Sequence, residues 1–187
     1  LALLFHDLGK ASTKTTDEKG IDHFYGHADI SARIADDVMK RLRFDNDTRH
    51  KVIKLVKYHD LKMALTPTGV RKAIVKVGEE LFPLLLEVKR ADFLAQSIYK
   101  RDEKEAELAE MERLYTQILE EKNCVSLKAL AVTGSDLIEA GMKPGKEIGE
   151  VLQMLLEIVI EDPASNTKEI LLSKVTQLKK KPEYPKV

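Results

Sequence analysis

Leu1-Ala2-Leu3-Leu4-Phe5-His6-Asp7-Leu8-Gly9-Lys10 opens the chain, and everything downstream is read against it. The apolar run ends on a histidine and an aspartate side by side, and a glycine then breaks the pattern. One turn of helix can present both groups to a single metal ion, imidazole nitrogen being a common ligand and carboxylate oxygen a hard second one. A lone His-Asp pair at a helix end is more often a surface accident. Its weight comes from other histidines and aspartates that fall on apolar stripes further along.

From Ala2 to Leu8 the pattern suits the last two turns of a buried helix, with Gly9 as its stop. The polar stretch from Lys10 to Asp22 reads as a loop able to rim a site. Ile30, Ile34, Val38 and Leu42 recur at helical spacing with alanines between them, which predicts a helix from about His27 to Arg41 with His27 facing inward. The next helix, capped by Asp45 or Asp47, carries Val52, Leu55 and Val56 on its buried stripe. His59 continues that stripe, whereas His50 aligns with Lys54 and Lys57 and reads as solvated. A helix from about Thr68 to Val77, stopped by Gly78, precedes a longer one with Pro83 in its first turn. Leu81, Leu85, Val88 and Ala95 share one face there, and Asp92 falls on the same stripe. A carboxylate so placed needs a partner, because burying it alone costs on the order of several kcal/mol or forces a proton onto it.

The second half continues the helical pattern. Arg101 to Lys122 is a long amphipathic helix suited to joining two halves of the molecule, with Leu108, Met111, Leu114, Tyr115 and Ile118 at helical spacing. Ser126 to Leu130 predicts a short capped helix, Gly134 and Ser135 open another, and Gly141 closes it. Lys143-Pro144-Gly145-Lys146 then leads into a helix striped by Ile148, Val151, Leu152, Leu155 and Val159. Asp162-Pro163 breaks it, and Asn166-Thr167 starts a last helix ending near Lys179-Lys180-Lys181.

Scarce glycine and proline, with 33% charged residues and 5% aromatics, suit helices with solvated outer faces, so the expected fold class is all-α. The formal net charge of zero carries no whole-chain sign of a nucleic-acid binder and leaves local patches open. A single cysteine, Cys124, excludes an intramolecular disulfide framework and a thiolate zinc cluster, and it points to a reducing compartment. The absence of a long apolar run argues against a membrane span, so a cytoplasmic location is expected. Because the chain starts inside an apolar run without a capping residue, a fragment of a longer polypeptide is expected.

His6 with Asp7, His27, His59 and Asp92 stand on separate predicted elements, and each residue alone is more often a satisfied core histidine or a capping carboxylate. Sharing one core they would pack poorly, yet a divalent cation would satisfy them together. Nitrogen and oxygen donors without sulfur favour manganese, nickel, iron, cobalt or magnesium over a structural zinc.

The order His6-Asp7-x-Gly9-Lys10, then His27, His59, and Asp92 within Arg90-Ala91-Asp92, resembles the HD superfamily of metal-dependent phosphohydrolases, an all-helical fold. The resemblance implies that His6, Asp7 and Asp92 hold a metal ion, and that His27 and His59 hold a second or contact phosphate. A further histidine, which that family carries on the helix before the His-Asp pair, has no counterpart here. Asp7 and Lys10 are the implied catalytic groups, and Lys10, Arg33 and Arg71 are candidate phosphate contacts.

The run Ser126 to Ile138, then Gly141 to Gly149, and Glu161-Asp162-Pro163 through Asn166-Thr167-Lys168-Glu169, resembles the C-terminal body of bacterial tRNA nucleotidyltransferases, the CCA-adding and poly(A) polymerase family. His23-Phe24-Tyr25-Gly26-His27 is similar to the HD segment embedded in those enzymes. This resemblance implies an HD domain over residues 1–100, a linking helix over 101–122 and a tRNA-binding body over 123–187, without the polymerase head. It implies the HD domain and tRNA-binding body of a tRNA nucleotidyltransferase whose HD site can act as a phosphohydrolase on a phosphomonoester or a 2′,3′-cyclic phosphate; the alternative is a non-catalytic RNA-binding module with a relic HD site. In the body, the Pro144-Gly145 turn offers free amides and a positive dipole end, flanked by Lys143 and Lys146, so Lys143, Gly145 and Lys146 are the candidate RNA contacts. Ordinary helix capping, with Gly145 and Gly149 allowing close packing, is the commoner use of such a pattern.

Overall fold

The structure, a computed structural model, describes residues 1–96, 98, 100–123 and 125–179. Cys124 and the closing lysines from Lys180 onward therefore lie outside the described residues. The helices in chain order are α1 (Ala2–Phe5), α2 (Lys10–Thr13), α3 (His27–Arg41), α4 (Asn46–Tyr58), α5 (Pro67–Val77), α6 (Phe82–Ala95), α7 (Arg101–Glu120), α8 (Gly134–Glu139), α9 (Lys146–Glu161) and α10 (Lys168–Lys179). Single 3-10 turns cover Leu127–Ala129 and Pro163–Ser165. The fold is all-α, its one departure among the described residues being an antiparallel hairpin of β1 (Thr15–Thr16) and β2 (Asp22–His23) between α2 and α3. No described helix is long and apolar enough to cross a membrane.

Local signals set most helix ends. Asp45 caps α4 by accepting the Thr48 amide at 2.8 Å, and Thr66 caps α5 by accepting the Gly69 amide at 3.1 Å. At α8, Thr133 and Asp136 form a reciprocal capping box, and the Asp136 carboxylate also pairs with Lys168 of α10.

Two apolar cores form among the described residues. One draws on α1 and α3 to α7, from Ala2 to Val125; the other draws on Leu130 to Val175, with Leu137, Leu155 and Leu171 fully buried. Val75 of α5 packs against both. α7 contributes Leu108, Leu114 and Ile118 to the first core, so it is an integral wall of that core.

Several expectations are corrected. Only Ala2 and Phe5 of the opening run are buried, and the helix ends at Phe5; Leu3, Leu4 and Leu8 are exposed. Lys10 to Asp22 is not a plain loop, since α2 and the hairpin occupy much of it. On α3 the buried line is His27, Ser31, Ala35 and Met39, with Ile30 and Ile34 half-buried and Leu42 exposed. Small side chains on the inner face let α4 approach closely, and the larger β-branched ones fall to its flanks. Ala95, expected on the core face of α6, is exposed.

Candidate metal centre

Four elements bring the site together. His6 and Asp7 lie in the turn after α1, His27 begins α3, His59 caps the C-terminal end of α4, and Asp92 sits in the penultimate turn of α6. His27 and His59 are buried at 8% and 6% exposure. All five groups singled out by the sequence reading lie in one cluster.

Each imidazole is oriented in the same way. Nδ1 of His6 lies 2.8 Å from the Leu3 carbonyl, Nδ1 of His27 2.9 Å from that of Phe24, and Nδ1 of His59 2.7 Å from that of Val56. A carbonyl oxygen only accepts, so every Nδ1 carries the hydrogen and every neutral Nε2 presents a lone pair. The Nε2 atoms of His27 and His59 face each other at 3.1 Å, an arrangement that calls for a cation or a proton between them. Oδ1 of Asp7 lies 3.5 Å and 3.8 Å from these two nitrogens, and it is buried without a hydrogen-bond donor. Ligands about 2.1 Å from one ion stand about 3.0 Å apart at octahedral and about 3.4 Å apart at tetrahedral angles, so the spacing of Asp7, His27 and His59 fits a common cation.

His6 and Asp92 flank this trio. Nε2 of His6 is 3.3 Å from Oδ2 of Asp7 and 3.2 Å from Oδ1 of Asp92, and its ring packs edge-on to His59 with centroids 5.0 Å apart. Asp92 is half-exposed and accepts a hydrogen bond from Gln96 at 3.0 Å. Lys10 donates to Oδ2 of Asp7 at 2.6 Å, turning the other oxygen toward His27 and His59. Burial pushes the Asp7 carboxyl upward, but the Lys10 hydrogen bond and the charges of His6, Lys10 and His59 outweigh it and hold the group below its usual range. Burial lowers the His59 imidazole, and its neighbours His6 and His27 add to that, favouring the neutral form a ligand needs.

Other expected contacts fall elsewhere. Arg71, a candidate phosphate contact, is 5% exposed and spends its guanidinium on the Ile160 carbonyl, Asn123 and Thr68. Its place on the inner face of α5 makes it a structural tie. Arg33 is exposed and lines a separate cleft with Asp36, Arg49 and His50. Lys143, Gly145 and Lys146 are exposed at the start of α9 and line no part of the cluster's groove, and Lys146 pairs with Glu150 at 3.3 Å. Nothing lies within 4 Å of a Cβ built at Gly145 or Gly149, so close packing does not explain either glycine.

The sequence reading missed a groove of about 780 Å³ that opens beside His27 and His59 and is lined by Lys10, Phe24, Tyr25, Lys57, Lys62 and Lys76. Its lysines come from α2, α4, α5 and the loop after α4, and no linear pattern marks residues that only packing unites. Lys89 was missed as well. It donates to the Leu61 carbonyl at 2.9 Å and anchors the segment just after His59 to α6, and its burial lowers its pKa.

The tRNA nucleotidyltransferase domain 2 family matches residues 13–175. A CC-adding tRNA nucleotidyltransferase of Thermus thermophilus is 30% identical over 170 residues, which cover 90% of this chain and 37% of that protein. A CCA-adding enzyme of Levilactobacillus brevis is 45% identical over 49 residues, covering 26% of this chain and 12% of that protein. The chain thus spans little more than a third of the first relative's length. No solved structure matches it. With most of its length, including α3 to α9, inside the matched region, the chain belongs to the tRNA nucleotidyltransferase domain 2 family.

Proposed function

We propose that the cluster is a divalent-metal phosphohydrolase centre of the HD type, carried on the tRNA-binding body of a longer nucleotidyltransferase. One observation supports it above all: His27 and His59, each fixed with Nδ1 on a backbone carbonyl, turn their Nε2 lone pairs toward the orphaned Oδ1 of Asp7. Asp7, His27 and His59 would hold the ion, with His6 and Asp92 completing or extending the donor set. A divalent ion there supplies Lewis-acid polarisation of a phosphoryl oxygen and activation of water near neutral pH. Lys10 holds Asp7 in position and sets a positive charge at the groove floor. The favoured substrates are phosphomonoesters and 2′,3′-cyclic phosphates; the native metal is manganese, nickel, iron, cobalt or magnesium.

Manganese titration followed by thermal melting and by hydrolysis of bis(p-nitrophenyl) phosphate tests this reading. Wild-type protein should bind the ion and melt higher in its presence. His27→Ala and Asp7→Asn should each weaken ion binding by at least about 100-fold, since even an outer-shell change costs about 10- to 100-fold, and hydrolysis should fall with it. Hydrolysis untouched by both changes would remove the enzyme and leave an RNA-binding module.

The second half of the proposal places tRNA on the C-terminal body, as the names of the two relatives suggest and as exposed Lys143 and Lys146 beside the α9 N-terminus allow. Neutralising both lysines should weaken tRNA binding and reduce the salt slope of log K by about 2. A slope unchanged in filter-binding titrations would place the RNA elsewhere. The parent protein, with its polymerase head, would add CC or CCA to tRNA 3′ ends.

A further inference from the structure

Between the hairpin and α3 stands an aromatic pair that the metal centre does not use. Tyr25 is 77% exposed, the most open aromatic side chain among the described residues, and its ring stacks on His23 with centroids 5.2 Å apart and planes 9° from parallel. The pair is braced. A carboxylate only accepts, so His23 donates from Nε2 to Asp17 at 3.0 Å, and its Nδ1 accepts the Tyr25 hydroxyl at 3.3 Å. Asp17 is itself held by the amides of Lys19 and Ile21, each at 2.9 Å. An exposed tyrosine kept at one angle by a three-member chain has already lost much of the rotamer freedom that binding would otherwise remove.

The platform lies at the chemistry. Gly26, at φ 75°, turns the chain into α3 between Tyr25 and His27. Two residues of backbone span at most about 7 Å, so Tyr25 and His27 enter the groove from neighbouring points of the chain. His23, Tyr25 and His27 line the same groove as Lys62 and Lys76. Neither lysine has a carboxylate within ion-pair distance among the described residues. Of the rim's acids, Asp22 pairs with Lys14 at 2.8 Å and Asp29 with Lys57 at 3.4 Å, while Asp60 interacts electrostatically with the half-buried Lys89.

From this juxtaposition we infer that Tyr25 is a nucleobase-stacking subsite, and that the groove takes a single-stranded oligonucleotide with one base on the Tyr25–His23 stack, a backbone phosphate toward His27 and His59, and the strand running past Lys62 and Lys76. A charged groove interleaved with an aromatic face is the arrangement by which single strands are held without reading sequence. The inference rests on the phosphohydrolase reading for what happens to that phosphate; strand binding itself does not need the metal.

The test uses the whole chain in EDTA and a fluorescein-labelled six-nucleotide RNA carrying a terminal 2-aminopurine. Binding should quench the 2-aminopurine, and removing that base to leave an abasic sugar should weaken affinity by about 5- to 100-fold, the range for loss of one stacked base. Tyr25→Ala should abolish both the quenching and the preference for the base, while Tyr25→Phe, which keeps the ring, should retain both. Its exposure makes misfolding of either variant an unlooked-for complication, and circular dichroism checks it. Equal affinity for the base-bearing and abasic strands, unchanged binding by Tyr25→Ala, or no measurable binding at low salt each overturns the inference. Manganese-dependent hydrolysis of bis(p-nitrophenyl) phosphate, measured beside it, separates the two failures: intact hydrolysis without quenching sinks only the subsite, and quenching without hydrolysis sinks only the enzyme.

Discussion

Gly9→Ala is expected to lower the melting temperature by about 6–12 °C, the equivalent of about 3 kcal/mol in a chain of this length, and to weaken manganese binding with it. A Cβ at this position would stand 2.3 Å from the His27 carbonyl oxygen, 2.9 Å from the Ser31 amide nitrogen and 3.0 Å from Cβ of Ile30. Two of those atoms are α3 backbone, so no side-chain rotation can relieve the overlap. Nor is conformational freedom at stake, since Gly9 has an ordinary φ of −73°. What the glycine supplies is space for the turn after α1 to seat on α3, where the Gly9 amide donates to the buried Ser31 hydroxyl at 2.8 Å. Admitting a methyl group must lift that turn and carry Asp7 away from His27 and His59. Unchanged melting and unchanged ion affinity in the variant would show that the seat does not position Asp7.

Arg71→Met should cost a comparable amount, about 3–5 kcal/mol, and should split a single unfolding transition in urea into two. The side chain is buried at the seam between the two cores. Its Nε donates to the Ile160 carbonyl at 2.8 Å, the last residues of α9, and Nη1 donates to Asn123 at 3.0 Å, just beyond α7. Burial lowers its pKa, with Glu121 and Glu161 opposing that, and a guanidinium is basic enough to stay charged throughout. Methionine fills the volume but removes the donor from the buried Ile160 carbonyl and from the half-buried Asn123 amide. Lysine should rescue little, because a single ammonium cannot serve acceptors arranged around a planar fork. The nearby surface pair Lys72–Glu161, at 2.5 Å, is too exposed to replace it. One sharp transition at the wild-type urea midpoint would mean that the seam holds without Arg71.

Helix placement was legible because its causes are local. Asp45, Thr66 with Pro67, Gly78 and Thr133 act within a turn of the chain, so α4, α5 and α8 begin or end where their sequences ask. The inward histidines were legible for a related reason: His59 follows Val52, Leu55 and Val56 at helical intervals, and a stripe that enters the core carries its last member with it. Periodicity was less informative on α3. Its apolar residues mark a broad arc, and which part of that arc is buried depended on how closely α4 could approach the line of His27, Ser31 and Ala35.

The amino-acid order by itself determined that the chain is helical, where most helices start and stop, and which imidazoles and carboxylates turn inward, since propensity, capping and stripe are properties of neighbours in the chain. Packing alone decided the rest: that Gly9 is a seat for the first turn on α3, that Arg71 is a tie between cores, and that lysines from four separate segments share one groove with Tyr25. Those facts join residues up to 89 positions apart, as Arg71 and Ile160 are. No local pattern encodes such a distance; it is set only when whole helices meet.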